Sequence, residues 1–176
     1  VALKVARTGS REPQTLARLQ HTHIVPVHSY RIDPATGLHL LCMPYLGGVT
    51  LARLLADPQV AHARAGADLL EAIDRLEPSR SNSTGRDSAA RRALAERGYV
   101  RAIAWWGARL AEALGYAHER GVLHRDVKPS NVLITGDGQP MLLDFNLAWE
   151  ERIDEAGGEH VPGGTLAYMA PEHLEA

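Results

Sequence analysis

A chain with one cysteine cannot close a disulfide on itself, and Cys42 stands alone, which suits a reducing compartment. Neither sign of charge is in excess. The formal net charge is -2, so there is no basic footprint for nucleic acid. No apolar run approaches the roughly 18 residues that a membrane span needs. No basic stretch followed by an apolar one opens the chain in the manner of a secretory signal. No internal repeat is visible. These absences lead us to expect a cytoplasmic domain with no nucleic-acid partner and no membrane segment within this chain, whether or not an anchor stands elsewhere in a longer protein. What is there is ordinary for a globular protein: 45% hydrophobic and 23% charged over 176 residues, enough for one core, or one core with a small lobe. "VALKVA" at the start reads as a strand interior and "APEHLEA" at the end carries no obvious stop, so both ends are expected to be cuts in a longer domain.

The front of the chain reads as β-rich. "VALKVA" is β-branched and apolar around Lys4. "PQTLARLQ" has Leu16 and Leu19 at helical spacing, with Pro13 suited to a first turn. "HIVPVHSYRI" and "GLHLLCMPYL" read as two strands joined by a turn at Asp33 to Gly37, and "GGVTLARLLA" passes from glycines into a helix. Residues 57–98 read as a flexible insert around the polar run "EPSRSNSTGRDS", flanked by two patches, "ARAGADLLEAIDRL" and "SAARRALAERG", that could form short helices. A long amphipathic helix follows in "YVRAIAWWGARLAEALGYAHERG". Its Ile103, Trp106, Leu110, Ala113, Leu114 and Ala117 recur at spacings of three and four, and Gly121 lies past its end. Trp105 and Trp106 fit one partly exposed and one buried side of that helix. "NVLIT", a turn at Gly136–Gly138 and "PMLLDF" make a second hairpin.

Before that hairpin stands "GVLHRDVKPSNVLI". Asp126 accepts protons and hydrogen bonds, Lys128 carries a fixed positive charge, and Asn131 offers a neutral oxygen to a hard cation. Such a set suits phosphoryl transfer, where one group orients the nucleophile, one neutralises the moving phosphate and one holds a metal ion. By residue type alone, a solvated polar turn containing a proline explains the stretch equally well.

Four motifs in order tip the balance. "VALK", "HRDVKPSN", "LLDFNLA" and "GTLAYMAPE" resemble, respectively, the ATP-lysine strand, the catalytic loop, the metal-binding motif and the end of the activation segment of protein kinases. Lys-Pro in the loop and Gly-Thr before "AYMAPE" resemble the serine/threonine branch, in its bacterial Hanks-type form. The resemblance implies an α+β, two-lobed fold, truncated at both ends, with residues 1–45 in a β-rich lobe and 46–176 in a helical one. It implies transfer of the γ-phosphoryl of ATP, with Mg²⁺ or alternatively Mn²⁺, to Ser or Thr of a protein substrate. Lys4 would bind the α- and β-phosphates. Asp126 would orient the substrate hydroxyl, Lys128 neutralise the γ-phosphate, and Thr165 support the peptide site beside both. Asn131 and Asp144 would hold the metal. Ala2 and Leu133 would sandwich the adenine, Met43 would be the gatekeeper, and Tyr45 and Leu46 would line the hinge. His124, Phe145 and Leu16 would stack as a spine, and Glu172 would pair with an arginine beyond residue 176.

Several departures from the family pattern stand out. The glycine-rich phosphate loop does not occur in the chain. Glu12 is the candidate partner of Lys4, yet only eight positions separate them, where the family has about twice as many, and Pro13 biases Glu12 away from helical geometry. Asn146 replaces the usual Gly, a mild change because Asn tolerates left-handed backbone. These departures leave a rival expectation, a pseudokinase-like module that binds nucleotide or a partner without transferring phosphate. Between Asp144 and Glu172 the only hydroxyls are Thr165 and Tyr168, and five acidic residues crowd 150–159. Switching by phosphorylation within that segment is therefore not expected, with carboxylates supplying part of the charge that Arg125 would seek. His21 and His23 lack the further ligands a metal site would need.

Overall fold

The computed structural model describes residues 1–6, 19–77, 88–145 and 165–174. Glu12, Leu16, Asn146, the acidic run at 150–159 and most of the polar run at 77–88 lie outside these residues.

Three strands form the first sheet: β1 (Ala2–Ala6), β2 (Ser29–Ile32) and β3 (His39–Met43). All pairings are antiparallel in the order β1-β3-β2, with Lys4 opposite Leu41. The turn between β2 and β3 follows the expected Asp-Pro-Ala-Thr-Gly chemistry. The Asp33 carbonyl accepts from Gly37 N–H at 2.8 Å and the Asp33 N–H donates to Leu38 O at 2.8 Å. Its carboxylate accepts from the Ala35 N–H and the Thr36 hydroxyl, the local bonding that makes Asp a turn former.

The second sheet is β4 (Val49–Thr50), β5 (Val132–Ile134) and β6 (Pro140–Leu142), antiparallel in that order. Helix α1 (Leu51–Leu55) follows β4 directly, capped by Thr50 Oγ1, which accepts from Arg53 N–H at 3.3 Å. Then come α2 (Gly66–Leu76), α3 (Ala89–Ala95), the 20-residue α4 (Tyr99–His118) and the short α5 (Pro171–Leu174). No described helix is long and apolar enough to cross a membrane.

The expectation of a flexible insert over 57–98 needs correcting. Residues 57–77 and 88–98 are built into the core. Leu69, Leu70 and Ile73 of α2 and Leu94 of α3 are all buried beside Trp106 of α4 and Ile134 of β5. The apolar residues of the two flanking patches recur at helical spacing, and a stripe of that kind is stable only when covered.

Residues 23–25, on the way into β2, pair with β6 of the second sheet. Ile24 bridges Leu142 in parallel fashion. Leu142 N–H donates to His23 O at 2.8 Å, and Val25 N–H donates to Leu142 O at 3.0 Å. The His23 ring is buried and its Nδ1 donates to Pro140 O at 2.8 Å. This histidine ties the 23–25 segment to the start of β6.

Gly48 permits the entry into β4. Its φ is +88°, and a Cβ there would stand 2.2 Å from Ile134 O, a backbone atom that cannot swing aside. Left-handed strain and overpacking then act together, so Gly48→Ala is expected to cost about 2–4 kcal/mol. Urea denaturation checks this through a lowered midpoint at unchanged slope.

Candidate active site

Helix α4 delivers the loop. Past its end, Val122 N–H returns to Ala117 O at 3.0 Å, and the chain runs extended into His124. The His124 ring is 1% exposed. Its Nε2 donates to Leu143 O at 2.9 Å, and its Nδ1 faces Asp126 N–H at 3.4 Å. A carbonyl can only accept, so the ring is the neutral tautomer with its proton on Nε2. Phe145 lies against it, ring centroids 4.6 Å apart at 41°. Arg125 has a φ of +61°, a cost that over-determined surroundings must offset. His124 and Asp126 are both buried, with Arg125 exposed between them.

Asp126 is the hub. Lys128 Nζ lies 2.7 Å from its Oδ2, and Thr165 Oγ1 donates to its Oδ1 at 3.0 Å. Lys128 Nζ also donates to Thr165 Oγ1 at 2.6 Å, closing a triangle. Asn131 Nδ2 donates to Asp126 O at 2.8 Å and to Asp126 Oδ2 at 3.0 Å. The five-residue spacing works because Pro129 opens a short 3₁₀ turn, Pro129–Asn131, that folds Asn131 back. Burial pushes the Asp126 carboxyl up, but the bonds from Lys128, Thr165 and Asn131 outweigh it and hold the group below its ordinary value.

Asp144 has a φ of +47° and holds Lys4 Nζ at 3.0 Å from its Oδ1. Both side chains are substantially exposed, so the pair stabilises by no more than about 1 kcal/mol. Leu143 N–H donates to Asn131 O at 2.9 Å, which brings the Asn131 and Asp144 backbones alongside each other.

This donor set fits a hard divalent cation. Asn131 turns its amide N–H group to Asp126, so its neutral oxygen would be available to a cation, and Asp144 would offer Oδ2, since Lys4 takes Oδ1. Mg²⁺ is commonly held by one or two carboxylates together with substrate phosphates. Among the described residues no group of three His, Cys, Asp or Glu gathers into an all-protein cage.

The structure thus joins Asp126, Lys128, Asn131 and Thr165 directly, and joins Lys4 to Asp144. The adenine candidates sit on two different sheets. Ala2 in β1 pairs with Met43 in β3, while Leu133 is the middle residue of β5. Tyr45 is exposed and its hydroxyl donates to Glu77 Oε1 at 3.2 Å, at the C-terminal end of α2. Leu46 is half-buried. Glu172 is exposed in the first turn of α5. The contact of Lys4 with Asp144, and those of Arg91 and Trp106 with the β5–β6 turn, have no counterpart in the sequence reading.

His124 makes the site acid-sensitive. Burial lowers its affinity for a proton below the usual value of 6.5, against the opposing pull of Leu143 O, Asp126 and Asp144. Its folded pKa is depressed, so below about pH 6.5 the unfolded chain takes up the proton first, and stability falls with pH by up to about 1.4 kcal/mol per unit. His124→Phe should lie lower in stability at pH 7.5 but fall less steeply to pH 5.5 in denaturant titrations. His21 is lowered too, chiefly by burial, and adds the same background slope to both proteins.

Residues 82–176, just over half of the chain, match the family model described as protein kinase domain. CBL-interacting protein kinase 4 of Oryza sativa subsp. japonica is 34% identical over 165 residues, covering 93% of this chain and 28% of its own length. Serine/threonine-protein kinase PknF of Mycobacterium tuberculosis is 31% identical over 170 residues, covering 94% of this chain and 28% of its own length. The DNA damage-responsive serine/threonine-protein kinase RqkA of Deinococcus radiodurans is 32% identical over 168 residues, covering 94% and 20%. The chain therefore spans less than a third of the length of these relatives.

Proposed function

Since the chain belongs to the protein kinase domain family, we propose that it carries the transfer machinery of a serine/threonine protein kinase. The reaction would move the γ-phosphoryl of ATP, with a divalent cation, to a Ser or Thr hydroxyl of a protein substrate. The observation that carries this reading is the closed triangle of Asp126, Lys128 and Thr165, braced by Asn131.

The roles follow from the atoms. A substrate hydroxyl would replace one of the donors now on Asp126 and be aimed by it at the γ-phosphorus. The bond from that phosphorus to the β-bridging oxygen breaks as the bond to the substrate oxygen forms, and the hydroxyl proton passes to Asp126. Its lowered pKa makes Asp126 a weak base, which suits a proton that moves late in a loose transition state. Lys128 offsets charge on the transferred group. Thr165 fixes Lys128 and Asp126 relative to the peptide chain. Asn131 and Asp144 would hold the cation, which when bound neutralises the phosphate oxygens. Lys4, released from its weak pair with Asp144, would meet the α- and β-phosphates.

The rival is a module that binds nucleotide or a partner without transfer. The Lys4–Asp144 pair speaks for it, because it neutralises the phosphate lysine and the metal carboxylate against each other. Labelled ATP, Mg²⁺ and a generic basic protein decide the matter. They are applied to the 176-residue chain and to the whole product of its gene, each beside its Asp126→Asn control. Transfer that disappears in the control supports the kinase. Proteins that melt cooperatively yet never transfer point to the binding module.

A further inference from the structure

The turn between β5 and β6 is held by three helices. Arg91 of α3 is buried, its guanidinium forked onto Asp74 of α2 with Nη1 at 3.1 Å from Oδ1 and Nη2 at 2.8 Å from Oδ2. Nη1 also donates to the carbonyl of Gly136 in the turn. Two residues on, Gly138 has a φ of +81°, and a Cβ there would stand 2.7 Å from Leu94 Cδ2 and 3.1 Å from Leu70 Cδ2. From α4, Trp106 Nε1 donates to Gly138 O at 2.9 Å. An arginine is withdrawn from water at a cost unless its donors are met, and here the fork is met by Asp74 while Nη1 also holds the turn.

That turn is one end of a short lever. β5 runs back from it to Asn131 and β6 runs on to Leu143 and Asp144, three residues each, roughly 10 Å of strand. At the far end Leu143 N–H bonds Asn131 O. A short ribbon flanked by a two-residue strand, β4, cannot set its own geometry, since two-stranded hairpins are marginal alone.

We propose that Arg91 is a positioning residue. By tying the Gly136 carbonyl to Asp74 it fixes the β5–β6 hairpin, and through it the separation of Asn131 and Asp144, the two candidate cation ligands. The consequence for the cation rests on the kinase reading; the consequence for the hairpin does not.

The test uses Arg91→Met, Arg91→Lys and a control, Arg75→Met. The control removes the 2.8 Å pair of Arg75 with Asp57, in the same helical unit but away from the hairpin. Two quantities are read: hydrogen exchange at the Leu143 amide, and Mn²⁺ binding in the presence of ATP, followed by the paramagnetic signal of free Mn²⁺. Arg91→Met should speed Leu143 exchange and weaken Mn²⁺ binding about tenfold, the range seen when a group behind a metal ligand is lost. Arg91→Lys should recover part of both. Arg75→Met should lower the melting temperature and leave both unchanged. If Arg91→Met does not fold, Asp74→Asn carries the test, because Asp74 is only partly buried. Wild-type values of both readouts in a folded clamp variant overturn the proposal. Faster Leu143 exchange in a protein that never binds Mn²⁺ with ATP upholds the clamp and removes the kinase reading instead.

Discussion

With Asn in place of Asp126, phosphoryl transfer should fall by about 10²- to 10⁴-fold, the usual worth of a positioned proton acceptor, while the fold persists. The amide oxygen can take the place of Oδ2 and accept from Lys128 and Asn131, while the amide N–H group, in the place of Oδ1, donates to Thr165 Oγ1 with the direction of that bond reversed, so the triangle keeps its shape. It cannot take the substrate proton, and it leaves Lys128 without an anion. Lys128 is partly exposed, so water can solvate it and the cost in stability stays near about 1–2 kcal/mol. Single-turnover rates and thermal melts on the same samples separate the two effects. The pH dependence gives a second readout. The Asp126 carboxyl is held below its ordinary value of 3.8, so its stabilising contribution is complete above that value and disappears as pH falls through the lower folded value. Asp126→Asn should therefore flatten the acid limb of the stability curve. A variant that melts far earlier and transfers at the wild-type rate would remove Asp126 from the chemistry.

Asp144→Asn should separate stability from activity even more cleanly. The carboxylate's ion pair with Lys4 is partly exposed and contributes no more than about 1 kcal/mol. Asn accepts the left-handed backbone that Asp144 adopts, so melting should barely move. The carboxylate's charge toward a cation is another matter. A metal-stabilised transition state gains several kcal/mol, so transfer should fall by on the order of 10²- to 10³-fold. Titration with Mg²⁺ should show the midpoint moving upward. If melting collapses while the Mg²⁺ midpoint stays put, Asp144 is holding the fold together and the ligand assignment fails.

The reach of the sequence can be judged residue by residue. Asp126, Lys128 and Asn131 were legible because they are near neighbours, and a proline between them dictates how the turn closes. The hairpins were legible from alternation and turn residues. Thr165 lies 39 positions from Asp126; nothing in the spacing of the chain brings them together, and only the resemblance to a family does. The partner of Lys4 is a lesson in the same vein. The fold brings Asp144, from 140 positions away, to 3.0 Å of Lys4 Nζ, while Glu12, the partner expected from the sequence, lies outside the described residues. A lysine on a strand pairs with whichever anion the opposite wall presents. Arg91 was invisible for a different reason. In an isolated helix an arginine reads as solvent-facing, and the carbonyl of Gly136 that draws it inward has no signature in a one-dimensional pattern. The insert was misjudged because its polar middle is conspicuous and the apolar stripes beside it are short.

The bond from Trp106 to the Gly138 carbonyl has a practical corollary. An indole that is 3% exposed and hydrogen-bonded to a backbone oxygen sits in a defined, dry environment, and its emission shifts to the red once water reaches the ring. The oxygen it touches belongs to the turn from which the chain runs into Asp144. The molecule therefore contains its own optical gauge of that turn, readable without a dye, on the microsecond timescale of a temperature jump, by subtracting the light of a Trp106→Phe protein from that of the wild type.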